Sequence, residues 1–365
     1  MTPPPLDAGT DDCLDVLVVG AGQAGLATAA QLARHGLRFL VVDAAPELGH
    51  AWRTRWDSLR LFTPAMYDGL PGAPFPAAPD HHPTKDEVAD YLTAFARDHA
   101  LPVLLGCPVT RLQRLPDGRF AAETPDGVLR ARQVVVATGP FQVPVVPAVA
   151  AGLAPSVHQL HSSGYRNPEL LPDGPALVVG AGNSGMQVAL ELAATRDVTL
   201  AVGSRPLRLP QRFLGRDLFW WLSRTGALTS SADTPLARRM RTRGDLVIGT
   251  SFRRLRRAGV TLRPRVRATA GDVVELQDGT TVRPRTVVWA TGFRRDHSWL
   301  DVPGVVVDGD VRHRGGITDV PGLVFVGLPW QSSRGSALLG FVGHDAERIT
   351  AHLARAEAVR EPVTA

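Results

Sequence analysis

Only two cysteines, Cys13 and Cys107, occur among 365 residues, and they leave little thiol chemistry open. They stand far apart and in no CxxC pair, which argues against a disulfide framework, a cysteine zinc site and a dithiol redox centre. No apolar run approaches the roughly 18 to 20 residues that a membrane span needs; even Asp217-Leu218-Phe219-Trp220-Trp221-Leu222 is short and begins on a charge. Met1 to Asp12 is Pro-rich and acidic, with neither a basic start nor an apolar stretch, so no secretory signal is expected and a cytoplasmic location is. His81-His82-Pro83 sets two histidines side by side, pointing apart, with no partner at ligand spacing, so no metal is expected. The net charge is +5 and almost all the cations are arginine. The clusters Arg238 to Arg243 and Arg253 to Arg257 lack aromatic interleaving and any helix-turn-helix pattern, so nucleic acid is not an expected partner.

What is present is a globular composition, 44% apolar with a mean hydropathy of −0.01, and a length suited to roughly two domains. Asp15 to Val19 reads as a short buried strand that runs into Gly20-x-Gly22-x-x-Gly25 and an Ala/Leu-rich helix, Ala24 to His35. Phe39 to Val42 is the next strand and ends in Asp43. This is the fingerprint of a dinucleotide-binding βαβ unit. Gly20 permits the tight turn, Gly22 lets the backbone approach a pyrophosphate, and Gly25 lets helix and strand pack closely. The helix start offers unpaired N–H groups and a positive dipole end to the phosphates. Asp43 can accept from both ribose hydroxyls and would repel a 2′-phosphate, so this site suits FAD or NAD. Gln23, Ala24, Val109, Ala137, Thr138 and Gly139 join these residues as candidate FAD contacts.

The fingerprint recurs. Leu177-Val178-Val179 runs into Gly180-Ala181-Gly182-Asn183-Ser184-Gly185, and each fingerprint is followed by an antiparallel excursion and an Ala-Thr-Gly strand ending. The endings are Gln133 to Gly139 and Thr286 to Phe293, the second placing Thr291 and Gly292 beside the second turn. The second unit departs from the first at its second strand, Val198 to Val202, which is followed by Gly203-Ser204-Arg205 in place of an acid. A hydroxyl and a guanidinium there accommodate a 2′-phosphate. FAD is therefore expected at the first turn and NADPH at the second, held by Gly180, Gly182, Asn183, Ser184, Gly185, Ser204, Arg205, Thr291 and Gly292.

Between these landmarks, residues 49–64 are Pro- and aromatic-rich and read as a loop, in which Trp52 either stacks near a flavin or packs in a loop core. Thr84-Lys85-Asp86-Glu87 is a capping box opening an amphipathic helix to about Ala100. Strand-like pieces follow at Val103 to Leu105, Pro108 to Leu112, Arg119 to Glu123 and Val128 to Ala131, and Gln159 to Arg166 reads as an interdomain linker. The apolar segment 209–250 interrupts the strand–helix rhythm, as ordinary core, a substrate cavity, a dimer surface or a membrane contact. A last strand at Leu323 to Val326 and a helix from about Gly340 to Ala356 close the chain. A return to the first domain would put that helix start near the flavin. The expected class is thus α/β, two Rossmann-like dinucleotide-binding domains with the second inserted in the first: 1–150, 151–290 and 291–365.

The chain resembles class B flavoprotein monooxygenases, the flavin-containing monooxygenase group, especially the plant indole-3-pyruvate type and its bacterial relatives. The resemblance rests on both glycine motifs, Gly49-x-x-Trp52, His161-Ser162-x-x-Tyr165-Arg166 and Ala290-Thr291-Gly292-Phe293. Pro155 and Val157 stand where the group has Phe and Gly, and Tyr165-Arg166 replaces the Trp-Pro or Trp-Asp of Baeyer–Villiger enzymes. The resemblance implies hydride transfer from NADPH to flavin N5, reaction with O2 to a C4a-(hydro)peroxide, and oxygenation of a small organic substrate. His161, Tyr165 and Arg334 are the candidates to stand near that chemistry. Two rivals remain at this point: an FAD-dependent NADPH oxidoreductase serving a quinone or protein acceptor, and a flavin redox sensor. A homodimer stays open, and no residue marks an ion pathway.

Overall fold

The computed structural model describes residues 13–204, 206–241 and 246–359. Cys13–Val19 lies inside an eight-stranded sheet, parallel to Phe39–Val42 on one side and to Gly127–Val136 on the other. Val103–Leu104 extends the sheet beyond Phe39–Val42, again in parallel. Alternate residues of the central strand feed two cores: Val16 and Val18 pack in one, Leu17 and Val19 in the other. That two-sided burial is why the strand reads as an unbroken apolar run.

Gly127–Val136 is one ten-residue strand, where two pieces, Val128 to Ala131 and Gln133 to Ala137, were expected. Its first half pairs antiparallel with Phe120–Thr124, which in turn pairs with Arg111–Arg114; its second half runs parallel to Cys13–Val19. The polar pair that seemed to divide it is accommodated inside the strand. Arg132 reaches Asp15 and Glu357 at 2.7 and 2.9 Å, and the buried Gln133 amide donates to the Leu353 carbonyl at 3.3 Å.

The second sheet has five parallel strands in the order Thr261–Pro264, Val198–Val202, Ala176–Val179, Thr286–Trp289, His158–His161. The last of these corrects the expectation of a linker over Gln159 to Arg166. His158–His161 finds backbone partners along Thr286–Trp289, and the Trp289 indole donates to Gln159 Oε1 at 3.2 Å. A three-stranded antiparallel ribbon over Val266–Ala270, Val273–Leu276 and Thr281–Val282 precedes Thr286, echoing the excursion in the first sheet.

After Gly292 the chain returns to the first sheet. Leu300–Asp301 pairs with Arg111–Arg114, Leu323–Phe325 pairs with Gly127–Val136, and the helix Val342–Ala358 shares a core with the helix Gln23–Arg34. The two passages between the sheets meet as an antiparallel pair, Val143–Pro144 with Phe293–Arg294. The fold is α/β with two sheets of dinucleotide-binding type, the first parallel at its centre with an antiparallel extension and the second parallel throughout, as the duplicated fingerprint implied.

Three local details differ from or refine the sequence reading. A helical turn, His50–Arg53, stands within the stretch expected as loop, started by Gly49 at φ +74°. The capping box is formed, with Thr84 accepting from Glu87 N and the helix running over Lys85–Asp98. Part of the 209–250 segment packs as core: Leu218, Phe219, Leu228 and Ile248 cluster with Phe62, Tyr67, Leu338 and Phe341. Among the described residues no helix is long and apolar enough to cross a membrane.

Candidate functional site

The two glycine turns are near copies. Gly20 and Gly180 adopt φ of +110° and +112°, a region open to glycine, and a Cβ on either would press into the carbonyl of the Ala-Thr-Gly ending, Ala137 O or Ala290 O. A Cβ on Gly25 or Gly185 would overlap the Gly20 or Gly180 carbonyl, so helix and turn touch as the fingerprint requires. Gly22 and Gly182 are different: a Cβ there meets no protein atom within 4 Å. Each is the N-cap of a helix whose start carries no side-chain cap and no acid in its first turn. Both helix starts therefore present free N–H groups and a dipole end toward open space, the chemistry a pyrophosphate requires. Matching bonds hold the two endings, Ala137 N to Val19 O and Ala290 N to Val179 O, each 2.8 Å.

The ends of the second strands separate the two sites. Asp43 accepts from Ala21 N at 2.5 Å and Ala45 N at 2.8 Å, which fixes its carboxylate over the first turn. Register refines where its counterpart lies. Val42 is level with Val19, and Ala201 is level with Val179, so Val202 occupies the position of Asp43. Ser204, expected at that position, stands two residues further on and is exposed; Arg205 lies outside the described residues. An apolar side chain in place of the carboxylate still removes the repulsion toward a 2′-phosphate. A cation that sequence reasoning missed is also here. Arg265 follows the strand Thr261–Pro264 beside Val198–Val202, and its guanidinium donates to the Gly203 carbonyl at 3.3 Å. Only the strand order brings Arg265 to this edge, and that order is not written in local sequence.

Several expected contacts are committed within the protein. Asn183 donates to Leu246 O at 2.7 Å and accepts from Ile248 N at 3.1 Å, tying the 209–250 segment to the second turn. The Thr291 hydroxyl donates to Val145 O. Thr138 Oγ1 and the Gly139 carbonyl both accept from the Gln142 amide, at 2.7 and 3.0 Å, while Gln142 Oε1 accepts from Asp296 N. Gln142, which carried no motif signal, thus joins the first Ala-Thr-Gly turn to the returning passage. The Gln23 amide points to Ala337 O at 3.5 Å, and a Cβ on Gly327 would press on Ala24. The segment before the last helix therefore lies at the first turn. Trp52 is half-buried against the first core, and Val109 packs against the second. Ser184 is half-buried in the first helical turn after Gly182.

The three candidates for chemistry part company. His161 Nδ1 accepts from Ser163 N at 3.1 Å, so Nε2 carries the hydrogen and donates to Gly292 O at 3.0 Å. Burial, and then the Arg55 charge, lower its pKa, so the ring is a neutral strut beneath the second Ala-Thr-Gly turn. Tyr165 is fully buried and donates to Glu191 Oε2 at 3.0 Å. Burial, and then the nearby Glu191 charge, push its pKa far up, and it belongs to the core rather than to an open site. Arg334 stacks over Trp330 at 5.2 Å, on the segment where residues 228–232 meet 332–335. Arg55 was not singled out by sequence. Its guanidinium lies over both Phe141 and Phe293, 5.6 Å from each ring centre, where the two passages pair.

With this geometry in view, the comparisons with known proteins are specific. The family model described as pyridine nucleotide-disulphide oxidoreductase matches residues 17–212. An uncharacterized oxidoreductase, CzcO-like, of Geobacillus kaustophilus is 43% identical over 336 residues, covering 92% of this chain and 96% of that protein. The indole-3-pyruvate monooxygenase YUCCA8 of Oryza sativa subsp. indica is 30% identical, covering 93% of this chain and 90% of its own. The chain belongs to the pyridine nucleotide-disulphide oxidoreductase family and, within it, to the class B flavoprotein monooxygenases. A solved flavin-containing monooxygenase from Stenotrophomonas maltophilia superposes with a TM-score of 0.79 at 28% identity, covering 94% of this chain and 99% of that one. The disulphide of the family description has no counterpart in this flavoprotein monooxygenase: Cys13 and Cys107 are both free and buried.

Proposed function

We propose that the chain is an NADPH-dependent FAD monooxygenase that transfers one oxygen atom of O2 to a small organic substrate. The observation that carries this reading is the paired turn geometry, with Asp43 over one turn and Val202 at the matching position of the other. FAD is assigned to Gly20, Gly22, Gly25 and Asp43, and NADPH to Gly180, Gly182, Gly185 and the edge where Ser204 and Arg265 stand, with Arg205, outside the described residues, kept as a candidate from the sequence. The division into 1–150, 151–290 and 291–365 belongs to the same proposal, as does a place in the cytoplasm.

The two groups fit the residues present, because the helix starts at Gly22 and Gly182 are uncapped and face open space. Asp43, oriented by two backbone N–H groups, keeps lone pairs for ribose hydroxyls. Val202 withholds the charge that would expel a 2′-phosphate, and Arg265 supplies a planar donor fork to it. The Gln142 bridge ties the first Ala-Thr-Gly turn to the returning passage at Asp296, and His161 ties the second turn to the strand His158–His161. Bound FAD supplies hydride acceptance and oxygen activation; the protein supplies orientation and exclusion of water.

Rapid-mixing absorbance tests the reading. NADPH should bleach the bound flavin, and O2 should then produce a blue-shifted flavin absorption that added NADP⁺ prolongs. Immediate return of the oxidised spectrum would favour an oxidoreductase serving an external acceptor. Flavin that NADPH never bleaches would overturn the enzymatic assignment.

A further inference from the structure

The 209–250 segment sends one feature outward that the proposed reaction does not use. Arg212–Phe213 and Arg216–Asp217 form a hairpin closed by Leu214 and Gly215, with φ of +48° and +75°. A two-residue loop with both φ values positive is the province of Asn-Gly and Gly-Gly; a leucine in it is strained by its Cβ. The strained residue is 74% exposed, and Phe213 beside it is 54% exposed. Strain spent on displaying a leucine to solvent points to a surface with a use.

Indoles and arginines gather around the tip. Trp221 meets Phe213 edge-on with ring centres 6.2 Å apart, and its indole N–H donates to the Phe213 carbonyl at 2.9 Å. Trp220 meets Trp221 edge-on at 4.7 Å, and Arg216 and Arg224 lie over Trp220 at 5.4 and 5.8 Å. Arg212 donates to the Gly215 carbonyl at 3.0 Å. All three arginines are exposed, and among the described residues none of them forms an ion pair with a carboxylate, although Asp217 stands across the hairpin from Arg212. Asp217, the acid of the hairpin, is turned inward, where it accepts from Phe219 N and from the Gln211 amide, each at 2.8 Å. Leu218 and Phe219, just past the hairpin, are anchored in the core with Phe62, Tyr67, Leu338 and Phe341, so the tip stands on a rigid base.

We propose that this tip docks the protein on a membrane surface bearing anionic lipids. Leu214 and Phe213 enter the acyl boundary, the Trp220–Trp221 pair lies at headgroup depth, and Arg212, Arg216 and Arg224 meet lipid phosphates. An exposed apolar tip surrounded by indoles and arginines is the composition that a bilayer interface receives, acyl boundary, headgroup region and phosphates together. A convex two-residue tip suits insertion into a fluid boundary, whereas an acidic protein partner would need a pocket shaped to receive it. The uncompensated arginines select anionic over neutral headgroups, and the apolar tip adds the second signal that lasting attachment requires. Attachment is peripheral and reversible, and it is independent of the proposed reaction.

Co-sedimentation of the full-length protein with vesicles tests this. Phosphatidylcholine vesicles with about one third phosphatidylglycerol should carry the protein down and pure phosphatidylcholine vesicles should not, with release at high salt. Leu214→Gly relieves the strained loop while removing the tip, so it should keep or raise the melting temperature and leave flavin content unchanged. It should weaken binding to the anionic vesicles by at least about tenfold, and Phe213→Ser together with Leu214→Gly further. Arg212→Gln with Arg224→Gln should abolish the preference for anionic lipid. Equal binding to both vesicle types, binding to neither, or unchanged binding by Leu214→Gly would overturn the proposal. Capture by soluble polyglutamate that Leu214→Gly does not weaken would assign the surface to an acidic protein instead, and would also overturn it.

Discussion

Asp68 is fully buried, and neither of its carboxyl oxygens makes a hydrogen bond of good geometry. Burial pushes its pKa from the usual 3.8 to about 7, with the Thr63 hydroxyl offsetting only part of the effect, and the nearby Tyr91 phenol is pushed up as well. An unfolded aspartate loses its proton near 3.9. Between about pH 4 and 7 the folded chain therefore holds a proton that the unfolded chain has released, so stability falls as pH rises through that window. Asp68→Asn removes the penalty. Its stability should match the parent's near pH 4 and exceed it at pH 8, by an amount on the order of a few kcal/mol, read from denaturation at both values. A variant that tracks the parent at both pH values would show that the acid finds a donor in solution. Arg265 yields a second test at this scale. Arg265→Gln should weaken NADPH about tenfold or more while leaving NADH unchanged, because only the former carries the 2′-phosphate. Equal weakening of both, by fluorescence titration, would place Arg265 elsewhere.

At the level of elements, the glycine turns separate two causes of glycine that a sequence motif merges. Gly25 excludes a side chain because the Gly20 carbonyl touches it; Gly22 excludes none within the protein. Gly25→Ala should therefore lower both the melting temperature and FAD content. Gly22→Ala should leave the flavin-free protein as stable as the parent and still weaken FAD, because its Cβ would project into the open space that the proposal gives to the phosphates. If both variants lost stability alike, Gly22 would have a structural duty the fold does not display. These turns were legible in the sequence because every requirement is local: β-branched run, glycines, helix, strand. The His158–His161 strand was not, because its partner, Thr286–Trp289, lies far along the chain and nothing in His-Gln-Leu-His alternates. Tyr165 read as a site candidate on motif position alone, yet its neighbours Trp56, Met186 and Val188 make it core. Val202 was passed over for Ser204 because counting along a strand cannot fix register to one residue, whereas backbone pairing does.

Across the whole molecule, the two nucleotide sites depend on how the passages between the sheets are held. Arg55 reaches from the first sheet's loops to both Phe141 and Phe293, and burial, together with the nearby Arg166 charge, lowers its pKa. A cation shared between two ring faces is sensitive to their separation, each contact contributing about 0.5 to 2 kcal/mol. Arg55→Met should thus lower stability by about 1 to 3 kcal/mol and slow flavin reduction by NADPH, with NADPH affinity and FAD content kept. Arg55→Lys should recover part of the rate. Loss of NADPH binding instead would show that Arg55 touches the nucleotide rather than aligning the halves.

The return of the chain to its first sheet also sets an order of assembly. All five strands of the second sheet lie between His158 and Trp289 in the chain, so that sheet can close while later residues are still being made. The first sheet cannot. Its Gly127–Val136 strand waits for Leu323–Phe325, and its core over Leu26 and Ala30 waits for Ile349 and Leu353 on the last helix. During synthesis the first sheet is thus the last to be sealed, and a chain stalled once Trp289 has cleared the ribosome's exit tunnel would hold a finished second sheet beside an open first one.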